Sequence, residues 1–392
     1  MNTTPPFGAS LRPLWRLEAG ARFLNHGSYG ACPREVLETQ DRLRLEMEAQ
    51  PDRFFRQGIV PRDTPTPLRE AIARLASFVG SESESIALLE NATSAVQAVL
   101  RSVTLSAGDE ILVNDHTYNA VRRMVEARCA ETGAVPRVLP LPLPITPADI
   151  VQRFRDALTP RVRLVILDHI TSPTAIVMPV ATLIPELKRF GARILVDGAH
   201  AVGHLPLHLS TLGADWYTSN AHKWLFTPRG TAFLHASESA RTMTKPLVVS
   251  HYAGLGFPRA FDYVGTRDYT PWLSLPAAMA FHQSLESRGA AAWRARLIAH
   301  ATRKLEPLGL QPIAPAEPTC ALRSFRMPQR RAVEAGDAEA LTSALWSGHR
   351  IQSMAVVFEG ALLLRVSAQA YVDEEDFDAL AEALAVDGWP GR

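Results

Sequence analysis

Two kinds of hydrophobic pattern alternate along the chain from about Pro33 to His235. Short apolar runs, typical of buried strands, are separated by stretches in which apolar residues recur at helical spacing. This alternation predicts a mainly parallel sheet flanked by helices. The predicted strands are 86–89, 110–114, 135–139, 164–168, 194–197, 216–219 and 230–235.

Three helix starts in this region are predicted from residues that favour a first turn. Pro33 and Pro147 fit the beginning of a helix because proline needs no intrahelical donor there. Ser94 can cap a helix over 95–103, because its hydroxyl can accept from a free backbone N–H.

The pattern changes after about Pro258, where the chain predicts a long helix, a proline-rich turn and then alternating strands and helices. We expect an N-terminal segment at 1–30 that packs near an active site, a large domain at 31–257 and a smaller α+β domain at 258–392. The predicted C-terminal elements are a helix at 276–308, the turn at 312–318, strands at 320–326 and 362–367, and helices at 337–346 and 374–385.

Composition narrows the possible partners. The 392 residues are 47% hydrophobic and 21% charged, with a formal net charge of +1, so no overall positive field favours nucleic acid. The three scattered cysteines predict neither a disulfide framework nor a zinc site, and the dispersed histidines predict no catalytic metal. Without an apolar run of roughly 18 residues or a leader-like N-terminus, we expect a cytoplasmic protein that does not bind membranes.

Polar residues recur where the predicted strands end. Ligands bind beyond the carboxyl ends of strands in open parallel sheets, so these side chains predict a shared crevice. They are Asn91 and Thr93, Asp115 and His116, Asp168 and His169, Asp197 and His200, and Asn220 and Lys223.

The strongest chemical signal joins Asp197, in Asp197-Gly198-Ala199-His200, to Lys223, 26 positions later. A carboxylate at a buried strand end can pair with the pyridinium nitrogen of a cofactor and keep the ring electron-accepting. A lysine in a dry crevice has a depressed amine pKa, which makes it a better Schiff-base nucleophile and proton carrier. The pair predicts a pyridoxal 5'-phosphate enzyme with Lys223 as both cofactor-binding and catalytic residue.

Seven segments together resemble the class V aminotransferase family of fold type I pyridoxal-phosphate enzymes, and within it the isopenicillin N epimerase-like branch. The resemblance implies a mainly parallel seven-stranded sheet flanked by helices, with a smaller α+β C-terminal domain. The matching segments are 23–33, 91–93, 115–118, the Asp197 and Lys223 motifs, 265–268, and 364–369.

The resemblance also implies roles for residues of the cofactor site. Ala92 and Thr93 would bind the cofactor phosphate at a helix N-terminus, together with Asn220 and His222. Gly265 and Thr266 would reach the phosphate of a second subunit, so that the active unit is a homodimer with shared sites. Either His116 or Tyr118 would stack on the pyridine ring, while His200, with Thr171 or Ser172, would contact the ring hydroxyl.

Arg365 ends an apolar strand pattern, where a guanidinium needs an anionic partner. The carboxylate of an amino-acid substrate would supply one and would be held by two parallel hydrogen bonds. An acidic residue within the chain is the alternative partner. Asn25 and His26 are further substrate-binding candidates on the resemblance.

Several reactions remain open, because one Cα carbanion can be reprotonated, lose a β-substituent or pass its proton to the cofactor. The first hypothesis is an epimerase, in which Lys223 serves one face of Cα and Tyr118 or His26 the other. The alternative is a carbon-sulfur β-lyase that releases pyruvate and ammonia from a cysteine conjugate or sulfoxide. An aminotransferase and a non-catalytic scaffold are weaker hypotheses.

A cysteine desulfurase is not expected. The resemblance would place its nucleophilic cysteine in the loop that precedes the carboxylate-binding arginine. The stretch 347–358 contains no cysteine, and Cys320 lies 45 positions before Arg365.

Overall fold

The structure is a computed structural model that describes residues 7–315, 317, 320–329 and 331–389. Residues 1–6 of the expected N-terminal segment lie outside these ranges, and so do Ala316 and Pro318 of the predicted proline-rich turn. In the described part of the chain, no helix combines the length and the apolar character that crossing a membrane requires.

Seven of the strands form one sheet in the order β2-β8-β7-β6-β5-β3-β4. The strands are β1 Arg22–Phe23, β2 Ile86–Leu89, β3 Glu110–Asn114, β4 Val135–Leu139, β5 Val162–Asp168, β6 Arg193–Asp197, β7 Trp216–Asn220, β8 Ala232–Ala236, β9 Gln311–Pro312, β10 Leu322–Arg326, β11 Ile351–Gln352, β12 Met354–Phe358 and β13 Ala361–Ser367.

Helices connect and flank these strands. They are α1 His26–Tyr29, α2 Arg34–Ala49, α3 Pro51–Gly58, α4 Pro67–Phe78, α5 Ala92–Ser102, α6 Asn119–Thr132, α7 Pro147–Ala157, α8 Val180–Lys188, α9 Leu209–Leu212, α10 Ala221–Trp224, α11 Glu238–Arg241, α12 Thr270–Leu273, α13 Leu275–Glu286, α14 Ala290–Leu305, α15 Asp337–His349 and α16 Glu374–Val386. Short 3-10 helices lie at Ala9–Leu14, Ser83–Ser85, Ala253–Leu255, Arg259–Phe261 and Glu306–Leu308.

The seven-stranded sheet is mainly parallel, as the sequence predicts. Strands β4, β3, β5, β6 and β7 run parallel, and only β8 pairs antiparallel, with β7 on one side and β2 on the other. The strand order reverses between β3 and β5, because the chain passes from β3 outward to β4 and then returns to the other side of β3. In open sheets such a reversal opens a crevice at the carboxyl ends of the strands.

The described residues divide into two compact units. The larger unit comprises Glu35–Thr171 and Met178–Ala280 and contains the seven-stranded sheet. The smaller unit contains the residues up to Arg34, the segment Ser172–Val177 and the residues from Phe281 onward. This division differs from the predicted boundaries at 30 and 257, and it assigns a short internal segment to the smaller unit.

The core of the larger unit lies between its sheet and helices. Buried apolar side chains of α5, including Val96 and Val99, cluster with Ile111 of β3 and Ile166 of β5. The alternation of strands and helices in the sequence therefore correctly predicts that helices pack against the sheet.

The smaller unit contains an antiparallel sheet in the order β12-β13-β10-β9 and a two-stranded parallel pair, β1 and β11. Strand β13 is buried along its whole length. A charged residue in that strand is consequently removed from water, which matters for Arg365.

Three local predictions are wrong. Asn91, not Ser94, caps α5, because its Oδ1 accepts the Ser94 N–H and the helix begins at Ala92. The helix predicted over 276–308 is interrupted at 287–289, where Gly289 adopts φ +94°. The stretch 347–358, which was expected to be the loop before Arg365, instead contains the end of α15 and the strands β11 and β12. Strand β12 pairs with β13 across a turn at Glu359 and Gly360.

Candidate functional site

The carboxyl ends of β3, β5, β6 and β7 carry the polar residues that the sequence singled out. Asp115 and His116 follow β3, while Asp168 ends β5 and Asp197 ends β6. Asp168 and Asp197 are direct partners in the parallel register, so their side chains leave the sheet on the same side. The larger unit therefore gathers candidate cofactor residues at the edge where the strand order reverses.

Lys223 and Asp197 form the centre of this group. Lys223 lies in the short helix α10, which follows β7, and its Nζ is 3.3 Å from Nε2 of His200. Burial raises the pKa of Asp197, while the N–H of Ala199 and the Lys223 charge act in the opposite direction. A carboxylate, a lysine and a histidine are thus assembled as the sequence predicts, in one buried cluster.

Two glycines let the loop after β6 pack against β7 and α10. A Cβ on Gly198 would lie 2.3 Å from Oη of Tyr217, and a Cβ on Gly203 would lie 2.6 Å from the Trp224 carbonyl oxygen. Gly203 also has φ +74°, which disfavours a side chain there. These close approaches hold His200 next to Lys223.

Asp168 and Tyr217 belong to the same cluster. The sequence placed Asp168 among the strand-end residues of the predicted crevice without giving it a specific role, and it did not predict Tyr217. The Asp168 side chain is fully buried, and burial together with the Asp197 charge raises its pKa to about 7. Oη of Tyr217 lies 2.7 Å from Nδ1 of His169, whose pKa burial lowers to about 4. The position of Asp168 at a strand end was the only signal in the sequence that could have identified it.

His116 and Tyr118, the two candidates for stacking on the cofactor ring, have different surroundings. His116 is fully buried, with Nε2 2.8 Å from the Leu141 carbonyl oxygen, and burial lowers its pKa. Tyr118 is 47% exposed at the start of α6. Within one chain, only His116 is fixed inside the cluster.

The predicted phosphate cradle lies at the N-terminus of α5. The N–H of Ala92 donates to Oδ1 of Asn220 at 2.8 Å, so this donor, expected to contact phosphate, is already used. Thr93 is exposed, and its N–H in the first turn of α5 has no acceptor within the helix. Thr93 therefore fits an anion better than Ala92 does.

His222 is the other predicted member of the cradle. Its Nδ1 lies 3.0 Å from the Thr231 carbonyl oxygen, and burial, followed by the Lys223 charge, lowers its pKa to about 4. With Nδ1–H donated to that carbonyl, Nε2 must take up a proton before it can donate to a phosphate.

Gly265 and Thr266 lie in a connection before α12. Gly265 has φ +136°, and Oγ1 of the exposed Thr266 is 2.8 Å from Oη of Tyr263. The contact of these two residues with a second subunit stays a prediction.

Arg365, in the smaller unit, is the buried guanidinium that the sequence predicts. Its Nη1 donates to the carbonyl oxygen of Ser172 at 2.5 Å, and Nη2 donates to Oγ of Ser28 at 3.0 Å. Within the described residues, Nε has no hydrogen-bond partner and no carboxylate lies within ion-pair distance. Burial lowers the pKa of Arg365 to about 10, so the group stays charged at neutral pH. An internal acid, the alternative partner, is absent from the described residues.

The surroundings of Arg365 include two other predicted site residues, Ser172 and Asn25. Ser172, which was predicted as an alternative to Thr171 for contacting the cofactor ring hydroxyl, contacts Arg365 through its carbonyl and hydroxyl. Asn25 accepts from Oγ of Ser28 at 2.6 Å, so it supports Arg365 through Ser28. The sequence motif contained Ser28 but gave no reason to choose it.

His26 does not have the surroundings that a base at Cα needs. It is fully buried, and its Nδ1 lies 2.9 Å from Oη of Tyr371, with Phe23 packed against both rings. This environment is that of a structural histidine in an aromatic cluster.

The cysteines of the chain are buried or half-buried. Burial raises the pKa of Cys320 to about 12, so it is a thiol at neutral pH and a poor nucleophile. Within the described residues, no group of three or more His, Cys, Asp and Glu side chains is arranged to hold a metal ion.

The larger unit fits pyridoxal phosphate. Asp197 is a buried carboxylate that would gain from a protonated ring nitrogen, Lys223 offers an amine and the first turn of α5 offers a free donor. These are the three features that the aldehyde, ring and phosphate of this cofactor require.

Comparison with known proteins agrees with this geometry. The sequence pattern of the family Aminotransferase class-V matches residues 28–380. Isopenicillin N epimerase of Amycolatopsis lactamdurans is 34% identical over 399 residues, which cover 96% of this chain and 97% of that protein. A putative L-cysteine desulfhydrase 1 of Oryza sativa subsp. japonica is 36% identical over 288 residues, which cover 69% of this chain but only 58% of that protein.

Solved structures share the fold. A lysine-to-alanine mutant of C-DES, with glycine covalently linked to its PLP cofactor, superimposes with a TM-score of 0.79 and 25% identity. The alignment covers 97% of this chain and 99% of that one. Cysteine desulfurases also share the fold at lower identity, so the comparisons do not confirm the expected exclusion of that activity. This chain belongs to the aminotransferase class-V family, has the fold type I architecture and is a pyridoxal-phosphate enzyme.

Proposed function

We propose that the protein binds an α-amino acid through its carboxylate at Arg365 and inverts the configuration at Cα, with Lys223 as a catalytic base. The observation that carries the proposal is a buried, charged guanidinium that has only neutral partners among the described residues. A substrate carboxylate would supply the missing anion and use the free Nε.

The cofactor would be held within the larger unit. Lys223 would provide the amine that binds its aldehyde carbon, Asp197 would face the ring nitrogen and His116 would lie against the ring. Thr93 would bind the phosphate, joined by His222 when its Nε2 carries a proton. Once bound, pyridoxal phosphate withdraws electrons from Cα and so makes the Cα proton acidic.

The chain's own residues would then move that proton. Lys223 takes it from Cα, and Nε2 of His200, 3.3 Å from Nζ, keeps the amine oriented. Arg365 would bind the substrate carboxylate and so restrict the rotation of the amino acid.

Inversion needs a second proton donor on the opposite face. Of the two candidates, His26 is enclosed with Tyr371, whereas Tyr118 is exposed and available. The isopenicillin N epimerase that matches over nearly its whole length favours this reaction over the alternatives.

Carbon-sulfur β-elimination is the second candidate. It needs Lys223 but no second base, and the match to a plant cysteine desulfhydrase favours it. The Cα proton and the β-sulfur group leave, and hydrolysis of the remaining enamine gives pyruvate and ammonia.

One set of assays separates these reactions. The holoenzyme is incubated in deuterium oxide with isopenicillin N, other α-amino acids and cysteine conjugates or sulfoxides. An epimerase incorporates deuterium at Cα and inverts configuration, and Tyr118→Phe slows inversion at least about tenfold more than exchange. Tyr29→Phe, another exposed tyrosine, is the matched control. Pyruvate formation without inversion would replace the epimerase by the lyase.

We also propose an active homodimer in which Gly265 and Thr266 reach the partner's phosphate. Mixing inactive Lys223→Ala and Thr266→Arg subunits then restores activity, because each mixed dimer contains one site with neither substitution. A monomeric mass in light scattering, or no recovery on mixing refolded subunits, would exclude shared sites.

A further inference from the structure

Asp168 is a buried carboxylate that the proposed reaction does not use. It ends β5, and its register partner on β6 is Asp197. Adjacent strands lie about 4.8 Å apart, and partners in register point to the same side, so the two carboxylates are neighbours. Only 3% of Asp168 is exposed, so water screens little of the interaction between them.

Hydrogen bonds join Asp168 to the turn that carries His116. Its Oδ2 accepts from Oγ1 of Thr117 at 2.9 Å and from Nδ2 of Asn114 at 3.4 Å. Asn114 in turn accepts the His116 N–H through Oδ1 at 2.9 Å. The position of the His116 ring therefore depends on Asp168 through two short steps.

The charges around Asp168 come from several elements. Asp197 on β6 is the nearest like charge, and Lys223 of α10 faces Asp197. The turn after β3 adds Asp115 and the buried His116, and His169 follows Asp168 in the chain. Burial and the Asp197 charge both favour the protonated form of Asp168, so near neutral pH the pair carries less than two full charges.

We propose that Asp168 is a positioning residue of the cofactor site, which fixes the turn bearing His116 and adjusts the charge that Asp197 presents to the ring. The inference rests on the proposed cofactor position at Lys223 and Asp197 and does not depend on which reaction follows.

The first test uses Asp168→Asn in the holoenzyme. Asparagine keeps an acceptor for Thr117 but cannot ionise, so the fold is retained while the charge is lost. The absorbance of the bound cofactor is followed against pH. Because a nearby negative charge stabilises protonated cofactor nitrogens, we expect the midpoint of its spectral change to fall by about 0.5–1 pH unit.

The second test removes the positioning role. Thr117→Val deletes one hydrogen bond to Asp168 without changing any charge, and Asp168→Ala deletes this bond together with those from Asn114 and the Tyr118 backbone. We expect the dissociation constant for pyridoxal phosphate to rise about threefold and about tenfold respectively. The circular dichroism of the bound cofactor weakens in parallel, whereas Thr117→Val leaves the pH midpoint unchanged.

Asp215→Asn is the matched control, because Asp215 is also buried but bonds the N–H of Ile194 at the opposite end of the sheet. It should lower thermal stability without altering the cofactor spectrum. If the Asp168 variants behave like Asp215→Asn, Asp168 is only structural and the proposal is wrong. If Lys223→Ala leaves the cofactor spectrum unchanged, the proposed cofactor position fails first, so the two failures are distinguishable.

Discussion

In the larger unit two carboxylates, Asp168 and Asp197, are buried side by side, whereas in the smaller unit one guanidinium, Arg365, is buried with neutral partners. The acidic pair can relieve its burial by taking up a proton, as the raised pKa of Asp168 indicates. Arg365 cannot give up its proton at neutral pH, even with its pKa lowered to about 10. The acidic pair of the larger unit can therefore lower its own charge by binding a proton, whereas Arg365 of the smaller unit requires an anionic ligand.

The largest expected effect comes from removing the cation that faces the acidic pair. Lys223→Ala should abolish the absorbance band of the cofactor bound to the lysine and reduce turnover at least about 1000-fold, because the amine that moves the proton is lost. Spectra and steady-state rates measure this. Lys188→Ala, at an exposed lysine of α8, is the control, and retained turnover in Lys223→Ala would refute the assignment.

Arg365→Met tests the buried guanidinium of the smaller unit. It should weaken substrate binding and stabilise the apoprotein. Losing the hydrogen bonds of a charged group costs about 1.5–3 kcal/mol, so KM should rise roughly 10- to 150-fold. The apoprotein should unfold at a higher temperature, since methionine replaces a buried cation that lacks an anion.

Arg326→Met, on the exposed end of β10, serves as the control for adding a methionine. A lower melting temperature for Arg365→Met would mean that the guanidinium stabilises the fold. In that case its burial would no longer argue for a substrate carboxylate.

The pH dependence of unfolding tests the acidic pair. The folded pKa of Asp168, about 7, lies above its ordinary value of 3.8. Its stabilising contribution is therefore complete below pH 4 and is lost as the pH rises to about 7. Compared with Asp168→Asn, the unsubstituted apoprotein should lose on the order of 4 kcal/mol over this interval in denaturant titrations. Parallel curves for the two proteins would show that Asp168 ionises normally.

Ser28→Ala should have the smallest effect. It removes the 3.0 Å bond to Nη2 of Arg365, worth about 1 kcal/mol, so KM should rise about fivefold with little change in kcat. Ser94→Ala, in the first turn of α5, is the control, because its hydroxyl does not cap that helix. An unchanged KM would show that Arg365 binds its ligand without support from Ser28.

Much of the larger unit could be predicted from the sequence. Strands β2, β3 and β4 have the predicted bounds. For β2 and β3 the reason is a short apolar run with a polar residue on either side. The break near Gly289 was missed, since the apolar spacing continues through it and only the positive φ of one residue ends the helix. Strand β12 was missed because it forms by antiparallel pairing with β13, and this pairing is not visible in the sequence of β12 alone.

The sequence by itself determined the family, the order of the elements and the identity of Asp197, Lys223 and Arg365, because these depend on local patterns and on residue chemistry. Only the tertiary structure placed Asp168 beside Asp197, joined Ser28 to Arg365 and enclosed His26 with Tyr371. Such pairs lie far apart in the chain, and whether a polar group is buried or paired follows from strand register and packing. For that reason, only the tertiary structure showed that the larger unit buries two neighbouring carboxylates and the smaller unit buries a guanidinium without an anionic partner.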